Sequence, residues 1–369
     1  MEGKASKVVK AFRNSDYFWH MRRLLLPFSW IYGFIVLVRN KFFDWKVLRA
    51  QSFDVPVITV GNLSVGGTGK SPMVLHLAAE LQKQYKTAIL SRGYGRKTKG
   101  FILLDEHAVA SEVGDEPMQY IRLLRDVKVA VCERRVDGIH ALLKQFPDIE
   151  LILLDDAFQH RYVRPSISLL LTEYGRPYFN DHLLPAGTLR EPVSGAARAD
   201  LVIVTKCRKE IPEAEQRDFI SRLRPAKPER IFFSYIHYRD LVNRKTGEVL
   251  SCDDIQGKRV LLVCGIARPE PLRDFLQQKG ADVQELFFPD HHAFTSGDAL
   301  LMWKRFSQSD CTMMITTRKD AMRLEAAELQ QHLDRMTIFI LDIAPAFSGS
   351  NGDPAGLVKQ LLIKQNKTR

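Results

Sequence analysis

From residue 51 onward, apolar segments typical of buried strands alternate with amphipathic helical segments. The strand-like runs are rich in Val, Ile and Leu and lie at 55–60, 87–91, 127–131, 149–156, 168–172 and 201–206. In the helical segment after the first strand, apolar residues recur at positions i, i+3, i+4 and i+7, from Val74 to Leu81. Continuous apolar strands that alternate with helices predict an α/β fold, with a parallel sheet covered by helices on both faces.

The pattern changes near residue 229. Two alternating aromatic and aliphatic runs surround "NRKTGE", which predicts a two-stranded linker over 229–250. Beyond it, strands at 259–267, 282–288 and 311–317 and a helix in "PEPLRDFLQQKG" predict a second, smaller α/β domain. The predicted division is an N-terminal helical segment (1–50), a larger α/β domain (51–228), the linker and a C-terminal domain (251–369). We expect the basic end "LLIKQNKTR" to fray.

The N-terminal segment contains an apolar run, Leu24–Val38, between basic residues. The run is shorter than the roughly 20 residues that span a bilayer, and Pro27 and Gly33 interrupt it. No small-residue cleavage site follows, so a signal peptide is not predicted. Aromatic residues of the kind found at the headgroup boundary lie in or beside it: Trp19, Trp30, Tyr32 and Trp45. We expect a monotopic helix seated on the membrane; a buried core helix and a tilted single span are the alternatives.

Composition narrows the partners. The 369 residues carry a formal net charge of +11, which favours an anionic partner. No zinc-finger or RNP-like pattern is present in the sequence, so a nucleic-acid partner is not predicted. The five cysteines are scattered and form no CxxC pair, which is typical of reduced thiols in a cytosolic protein. No protein partner is implied.

The stretch "VGNLSVGGTGKSP" (60–72) joins a strand to a helix through a glycine-rich turn. Amide groups and the positive dipole end at a helix start suit a phosphate. Lys70 can reach the β and γ phosphates, and the Ser71 hydroxyl can bind Mg²⁺, although Ser64 stands where the strict P-loop pattern has glycine. The predicted nucleotide-binding residues are Ser64, Val65, Gly66, Gly67, Thr68, Gly69, Lys70 and Ser71. The sequence therefore predicts a P-loop NTPase-like sheet that binds ATP.

A second acidic site lies in "LILLDDAFQH" (151–160), where an apolar strand ends in Asp155 and Asp156. Open α/β sheets place ligands at this end of the strands, and one of the two carboxylates would hold Mg²⁺. The choice between them stays open. A guanine-nucleotide switch is not indicated, because no glycine follows either aspartate at the third position.

Several further motifs accompany the P-loop in a fixed order. They are "LSRGYGRK" (90–97), "VGDEP" (113–117), "LLDDAFQHR" (153–161), "LLPAGTLREP" (183–192), "FPDHHAF" (288–294) and "TTRKDAMRL" (316–324). Together with the basic, apolar N-terminus they resemble the tetraacyldisaccharide 4'-kinases, or lipid A 4'-kinases, from about residue 20 to about residue 350. The resemblance implies transfer of the ATP γ-phosphate to the 4'-hydroxyl of a lipid A disaccharide 1-phosphate at the cytoplasmic face of the inner membrane.

The resemblance also implies residue roles. Asp115 in "VGDEP", in what we expect to be an acidic loop, is the position of the catalytic base, and His291 is the histidine that pairs with it after domain closure. Arg190 would stabilise phosphate charge and Glu191 would bind or support magnesium; a surface salt bridge is the alternative for both. A metal site at the adjacent histidines is not expected.

The remaining candidates concern the substrates. Gln159 and His160 follow the acidic pair and could sense the γ-phosphate. The basic motif at 90–97 could hold an anionic sugar lipid or could be a solvated loop; its candidate residues are Arg92, Tyr94 and Arg96. In the second domain Lys319 and Asp320 are candidates for packing the nucleotide, whereas Arg318 departs from the acid usual there. The alternative function is a membrane-associated P-loop ATPase that drives the assembly of a partner.

Overall fold

A computed structural model of the chain describes residues 15–105, 107–223, 228–290, 292–349 and 351–366. It divides into two compact units. The first holds the chain up to Leu90, Arg135–Tyr235 and the chain from Ala346; the second holds Ser91–Arg134 and Ile236–Pro345. The units differ from contiguous domains in two places, because 91–134 groups with the C-terminal part and the last segment returns to the first unit.

The elements alternate as the apolar pattern predicts. The strands are β1 (Val57–Asn62), β2 (Thr87–Ser91), β3 (Ile102–Leu103), β4 (Lys128–Val131), β5 (Leu151–Asp155), β6 (Ile167–Glu173), β7 (Leu201–Cys207), β8 (Ile231–Asn243), β9 (Val249–Leu250), β10 (Arg259–Cys264), β11 (Asp282–Phe287), β12 (Met313–Thr317) and β13 (Ile338–Ser348). The α-helices are α1 (Ser15–Asp44), α2 (Lys70–Leu81), α3 (Ala110–Val113), α4 (Asp115–Leu123), α5 (Arg135–Gln145), α6 (Glu213–Leu223), α7 (Glu270–Gln278), α8 (Ser296–Gln308), α9 (Arg318–Arg323), α10 (Ala327–Leu333) and α11 (Pro354–Asn366).

The first unit is built on a parallel sheet. Its strand order is β2-β5-β1-β6-β7, followed by the first residues of β8, and each neighbouring pair is parallel. β1 is buried along its whole length, as strands covered on both faces are. The predicted doubly covered sheet is confirmed, and it places the carboxyl ends of β1 and β5 side by side.

The second unit has its own parallel strands in the order β11-β10-β12-β13. β3 and β4 form an antiparallel pair within it. β8 and β9 pair antiparallel around "NRKTGE"; that this pair links two domains stays a prediction. The apolar pattern did not predict β13, a long strand that contains Pro345.

The helix α1 contains the predicted apolar run, and it has two different faces. On one face the Ser29 hydroxyl donates to the Leu183 carbonyl at 2.9 Å and accepts the Ala186 N–H at 2.9 Å. On the other, large apolar side chains are 60–73% exposed: Leu24, Phe28, Trp30, Ile31, Phe34 and Ile35. The exposure does not fit a buried core helix. Among the described residues, no helix has the length and apolarity to cross a bilayer.

The C-terminal helix α11 corrects the expectation of a fraying end as far as Asn366, and 367–369 lie outside the described residues. It continues to Asn366 and buries Val358 and Leu362 in the first unit. Just before it, Asp353 pairs with His76 of α2 at 2.8 Å, and Lys359 lies 3.7 Å from Glu80. The basic residues had suggested a solvated tail, but the apolar residues at i and i+4 dock it.

Candidate active site

The phosphate loop connects β1 to α2. Gly69, the residue before the helix, has φ +83°, a left-handed conformation that favours glycine. The helix begins at Lys70, with Pro72 in its first turn. A Cβ atom on Gly66 or Gly67 would meet no described atom within 4 Å, so this side of the loop is open. The loop can therefore accept a phosphate against backbone amides.

Neighbouring segments hold the loop in place. The Val65 N–H donates to the Thr188 carbonyl, and the Arg190 N–H donates to the Leu63 carbonyl, both at 2.7 Å. From β7, the Thr205 hydroxyl donates to the Thr68 carbonyl at 2.8 Å. The motif "TLREP" thus forms one wall of the phosphate loop, which its position in the sequence did not reveal.

Two buried polar groups at this loop find no hydrogen-bond partner among the described residues. They are the Thr68 hydroxyl and the side-chain amide nitrogen of Asn62. Buried polar groups in folded proteins are nearly always paired. Donors left over beside an open glycine-rich turn fit the oxygens of a bound polyphosphate.

Lys70 lies among oxygen acceptors at the carboxyl end of the sheet. Its ammonium nitrogen is 3.3 Å from Asn62 Oδ1 and 3.6 Å from Asp156 Oδ1. Arg190 Nη1 lies 3.1 Å from both oxygens of Asp156. Burial raises the pKa of Asp156, but the cations of Lys70 and Arg190 outweigh burial and set the pKa below its ordinary value. Three of the predicted catalytic and metal residues therefore meet at one point.

The other acidic candidates are buried. Asp155 ends β5 and is 1% exposed. In the part of the chain that the structure describes, no three His, Cys, Asp or Glu side chains gather in a way that could hold a metal. The absence of such a cluster among the described residues is compatible with Mg²⁺, because this ion keeps several waters and phosphate oxygens and needs only one or two protein ligands.

Glu191 makes a buried ion pair within the unit. It is 2% exposed, and its two oxygens accept from Arg198 Nη2 at 2.9 and 2.8 Å. Gln159 Nε2 donates to Glu191 Oε1 at 2.9 Å and to the Asn62 carbonyl at 2.7 Å. The salt-bridge alternative therefore describes Glu191, although the pair is buried instead of lying on the surface. His160, beside Gln159, packs its ring 5.8 Å from that of Tyr162.

In the second unit, "VGDEP" forms a helix start and not a loop. Gly114 has φ +95°, and Asp115 is the first residue of α4. The Asp115 carboxylate pairs with Arg323 at the end of α9, whose Nε lies 3.0 Å from Asp115 Oδ2. Arg323 was not among the predicted site residues; the signal that could have identified it was its place in "TTRKDAMRL", one helical turn after Asp320.

The candidates around α9 have distinct environments. Asp320 is fully buried and accepts the Gly265 N–H at 3.0 Å, so its carboxylate is used inside its own unit. Arg318 forks onto Asp342 of β13 at 2.8 and 2.5 Å, which gives the unusual arginine a structural partner. Burial lowers the pKa of Lys319, and the neighbouring Arg323 lowers it further.

The motif at 90–97 is divided between surface and interior. Arg92 is exposed, and Tyr94 is 78% exposed. The Arg96 side chain is only 3% exposed, pairs with Glu133, and donates to the Gly100 carbonyl at 2.7 Å. Arg96 therefore has a structural role. Of the three candidates for contacting an anionic sugar lipid, Arg92 and Tyr94 remain.

His291 lies outside the described residues, so its predicted pairing with Asp115 stays a prediction. Its neighbour His292 places Nε2 3.0 Å from Asp298 Oδ2, and its ring stacks on Phe288 at 4.8 Å. His292 thus belongs to the N-terminal cap of α8, which explains one of the two adjacent histidines without a metal.

A parallel sheet with a glycine turn, a lysine and paired carboxylates at the ends of its central strands defines a P-loop nucleotide-binding protein. A family model described as "Tetraacyldisaccharide-1-P 4'-kinase" matches residues 21–362. The chain belongs to this family.

Individual relatives agree with the family match. The "Tetraacyldisaccharide 4'-kinase" of Phocaeicola vulgatus is 43% identical over 333 residues, covering 89% of this chain and 91% of the relative. That of Flavobacterium johnsoniae is 43% identical over 313 residues, covering 85% and 90%. A crystal structure of "apo" form LpxK from Aquifex aeolicus in complex with ATP matches with a TM-score of 0.71 and 30% identity, over 93% of this chain and 99% of that one.

Proposed function

We propose that the chain is an ATP-dependent kinase that phosphorylates the 4'-hydroxyl of a tetraacyldisaccharide 1-phosphate in lipid A biosynthesis. The observation that carries the proposal is the family match over residues 21–362. The related structure from Aquifex aeolicus was solved with ATP, which supports ATP as the donor. The open phosphate loop, with its buried donors on Thr68 and Asn62, supports a polyphosphate ligand on independent grounds.

The first unit would bind and polarise the donor. The amides at the start of α2 would bind the β and γ phosphates, and the Lys70 ammonium would neutralise part of their charge. Arg190, held at 3.1 Å from Asp156, is the second cation near this point. Charge that develops on the transferred group is stabilised by cations already in place, and such preorganised electrostatic stabilisation is a large term in phosphoryl transfer.

Magnesium would be held by the hydroxyl of Ser71 and one of the carboxylates at 155 and 156. These are the hard oxygen donors that Mg²⁺ prefers. When bound, the ion supplies neutralisation of the phosphate charge. Asp156 suits this task because its pKa is lowered by Lys70 and Arg190, against the effect of burial, and the carboxylate is ionised at neutral pH.

The second unit would supply the proton acceptor. A sugar hydroxyl has a high pKa, so a positioned carboxylate must take its proton as the bond to phosphorus forms. We assign this role to Asp115, with His291 as its partner. Arg92 and Tyr94, both exposed, are the candidate contacts for the anionic sugar lipid.

We further propose that the chain works at the cytoplasmic face of the inner membrane, as a peripheral or monotopic protein. Its lipid substrate lies there, and α1 presents an exposed apolar face of the kind that enters a headgroup layer. The net charge of +11 would favour an anionic lipid surface.

The test of this function is a product assay with ATP, Mg²⁺ and a lipid disaccharide 1-phosphate. We expect a phosphorylated lipid, and we expect Asp115→Asn to lower kcat far more than it changes KM, because the base acts in the transition state. Asp126→Asn, at an exposed acid in the same unit, is the matched control. ATP turnover that ignores the lipid and yields no phosphorylated lipid would favour the ATPase alternative.

A further inference from the structure

The guanidinium of Arg323 contacts the carboxylate of Asp115, and both side chains belong to the second unit. We propose that Arg323 is a positioning residue for the phosphoryl transfer. Its guanidinium holds the Asp115 carboxylate in a fixed orientation. The inference rests on the proposed function of Asp115 as the proton acceptor. Arg323 acts through Asp115 and need not touch either substrate.

The contact geometry suits a positioning role. Arg323 Nε lies 3.0 Å from Asp115 Oδ2, and Nη2 donates to the same oxygen. A guanidinium is planar, so two donors on one oxygen restrict both the distance and the direction of the carboxylate. The arginine therefore holds the carboxylate through Oδ2.

The opposite side of the guanidinium is anchored. Arg323 Nη1 donates to the Gly265 carbonyl at 3.2 Å and to Asp320 Oδ1 at 3.3 Å. Asp320 in turn accepts from the Thr317 hydroxyl at 2.8 Å and from the Gly265 N–H. Arg323 therefore joins Asp115 to the carboxyl ends of β10 and β12, which are rigid parts of the unit.

Burial separates this pair from an ordinary surface ion pair. The Arg323 side chain is 8% exposed and Asp320 is fully buried, whereas Asp115 keeps 22% exposure. A buried guanidinium with partners on two sides has one arrangement available. The contacts run from buried Asp320 through Arg323 to Asp115. Asp115 is the exposed end of this series, and its carboxylate is the group that must meet the substrate.

Charge converges on the same place. Burial lowers the pKa of Lys319 and the cation of Arg323 lowers it further, while Asp290, Glu116 and Asp115 act in the opposite direction. Two cations and three carboxylates thus interact around the start of α4. Removing the arginine charge would disturb all of them, so a variant that keeps the charge isolates the effect of geometry.

Arg323→Lys is that variant, because an ammonium keeps the charge near Asp320 but cannot hold Asp115 with two donors in a fixed plane. A misplacement of about 1 Å in a reacting group can cost about 100-fold in rate. We expect kcat to fall about 10- to 100-fold, with the KM for ATP unchanged.

The chain provides a matched control. Arg122 on α4 pairs with Glu325, just after α9, so it joins the same two segments without touching Asp115. Arg122→Gln should leave kcat within about twofold of the parent, since an exposed pair contributes little. A loss of kcat in this control equal to that of Arg323→Lys would assign the effect to the packing of the two helices and overturn the inference.

A double variant with Asp115→Asn gives the decisive comparison. If Arg323 acts through Asp115, Arg323→Lys should lower kcat in the parent and cause no further loss in the Asp115→Asn background. Multiplied losses would show that Arg323 acts elsewhere, and a normal kcat of Arg323→Lys beside a crippled Asp115→Asn would overturn this inference alone. A normal kcat of Asp115→Asn would instead overturn the proposed base, and the inference with it.

Discussion

At the scale of single residues, the first unit concentrates opposite charges where phosphate chemistry needs them. The Lys70 side chain is 11% exposed and lies between an amide oxygen and the carboxylate of Asp156. Asp156 has φ +45°, a left-handed conformation that costs energy in a residue other than glycine and often marks a functional site. Asp155, one residue earlier, is buried at the strand end. Asp156 therefore combines two cationic partners with partial exposure.

The Lys70 assignment gives the first prediction at this scale. Lys70→Ala should lower kcat about 100- to 1000-fold, because one preorganised charge on the γ-phosphate is lost. The control is Lys83→Ala, which removes a 61% exposed lysine shortly after the same helix; its ion pair with Glu80, at 2.6 Å, is exposed and contributes little. The measurement is the initial rate of lipid phosphorylation at saturating ATP. Equal rates in the two variants would contradict the phosphate-loop assignment.

Residue-scale features were predictable where a local pattern encodes them. Gly69, Lys70 and Ser71 form a contiguous motif at a strand–helix junction, so the sequence alone identifies their place. The partners of Glu191 and Asp115 were not predictable, because Arg198 and Arg323 reach them through folding. A long-range ion pair leaves no spacing signal in one sequence.

At the scale of elements, the apolar pattern predicted the strands of the sheet well, whereas the basic residues near the C-terminus led to a wrong prediction for the last helix. The buried strands of the first unit are continuous apolar runs, and their positions agree with the structure to within a few residues. The basic end of the chain was expected to fray, yet α11 buries Val358 and Leu362. Val358 and Leu362 lie one turn apart on the same face of α11, so docking of the helix buries both side chains.

Adjacent residues of α11 provide a matched pair for a stability prediction. Leu362 is 1% exposed, and Leu362→Ala should lower the free energy of unfolding by about 2–5 kcal/mol through lost burial and a cavity. Ile363 is 49% exposed, and Ile363→Ala should change it by less than about 0.5 kcal/mol. Chemical denaturation of both variants measures the difference. Similar midpoints would show that α11 is not docked through Leu362.

At the scale of the whole molecule, the sequence order hides how the chain is divided. Residues 91–134 leave the first unit after β2 and join the unit formed by 236–345, so the motif that holds Asp115 shares a unit with "TTRKDAMRL". Contiguous domains were the natural expectation from one sequence. Parallel strands pair with partners far away in the chain, and such pairing has no local signature.

The whole-molecule property with the clearest test is the membrane association that we propose. Ile31 and Ile35 are each 60% exposed and lie one turn apart on α1, whereas Ser29 on the other face is held by Leu183 and Ala186.

The double variant Ile31→Asp, Ile35→Asp removes apolar area worth about 1.5–3 kcal/mol per side chain and adds charge that an anionic surface repels. Sedimentation with phosphatidylglycerol vesicles should show at least a tenfold loss of binding, with phosphorylation of detergent-dispersed lipid retained. Leu301→Asp, at a 41% exposed position in the second unit, is the control that should sediment like the parent. If the double variant sediments with vesicles as well as this control does, α1 does not seat the chain on the membrane.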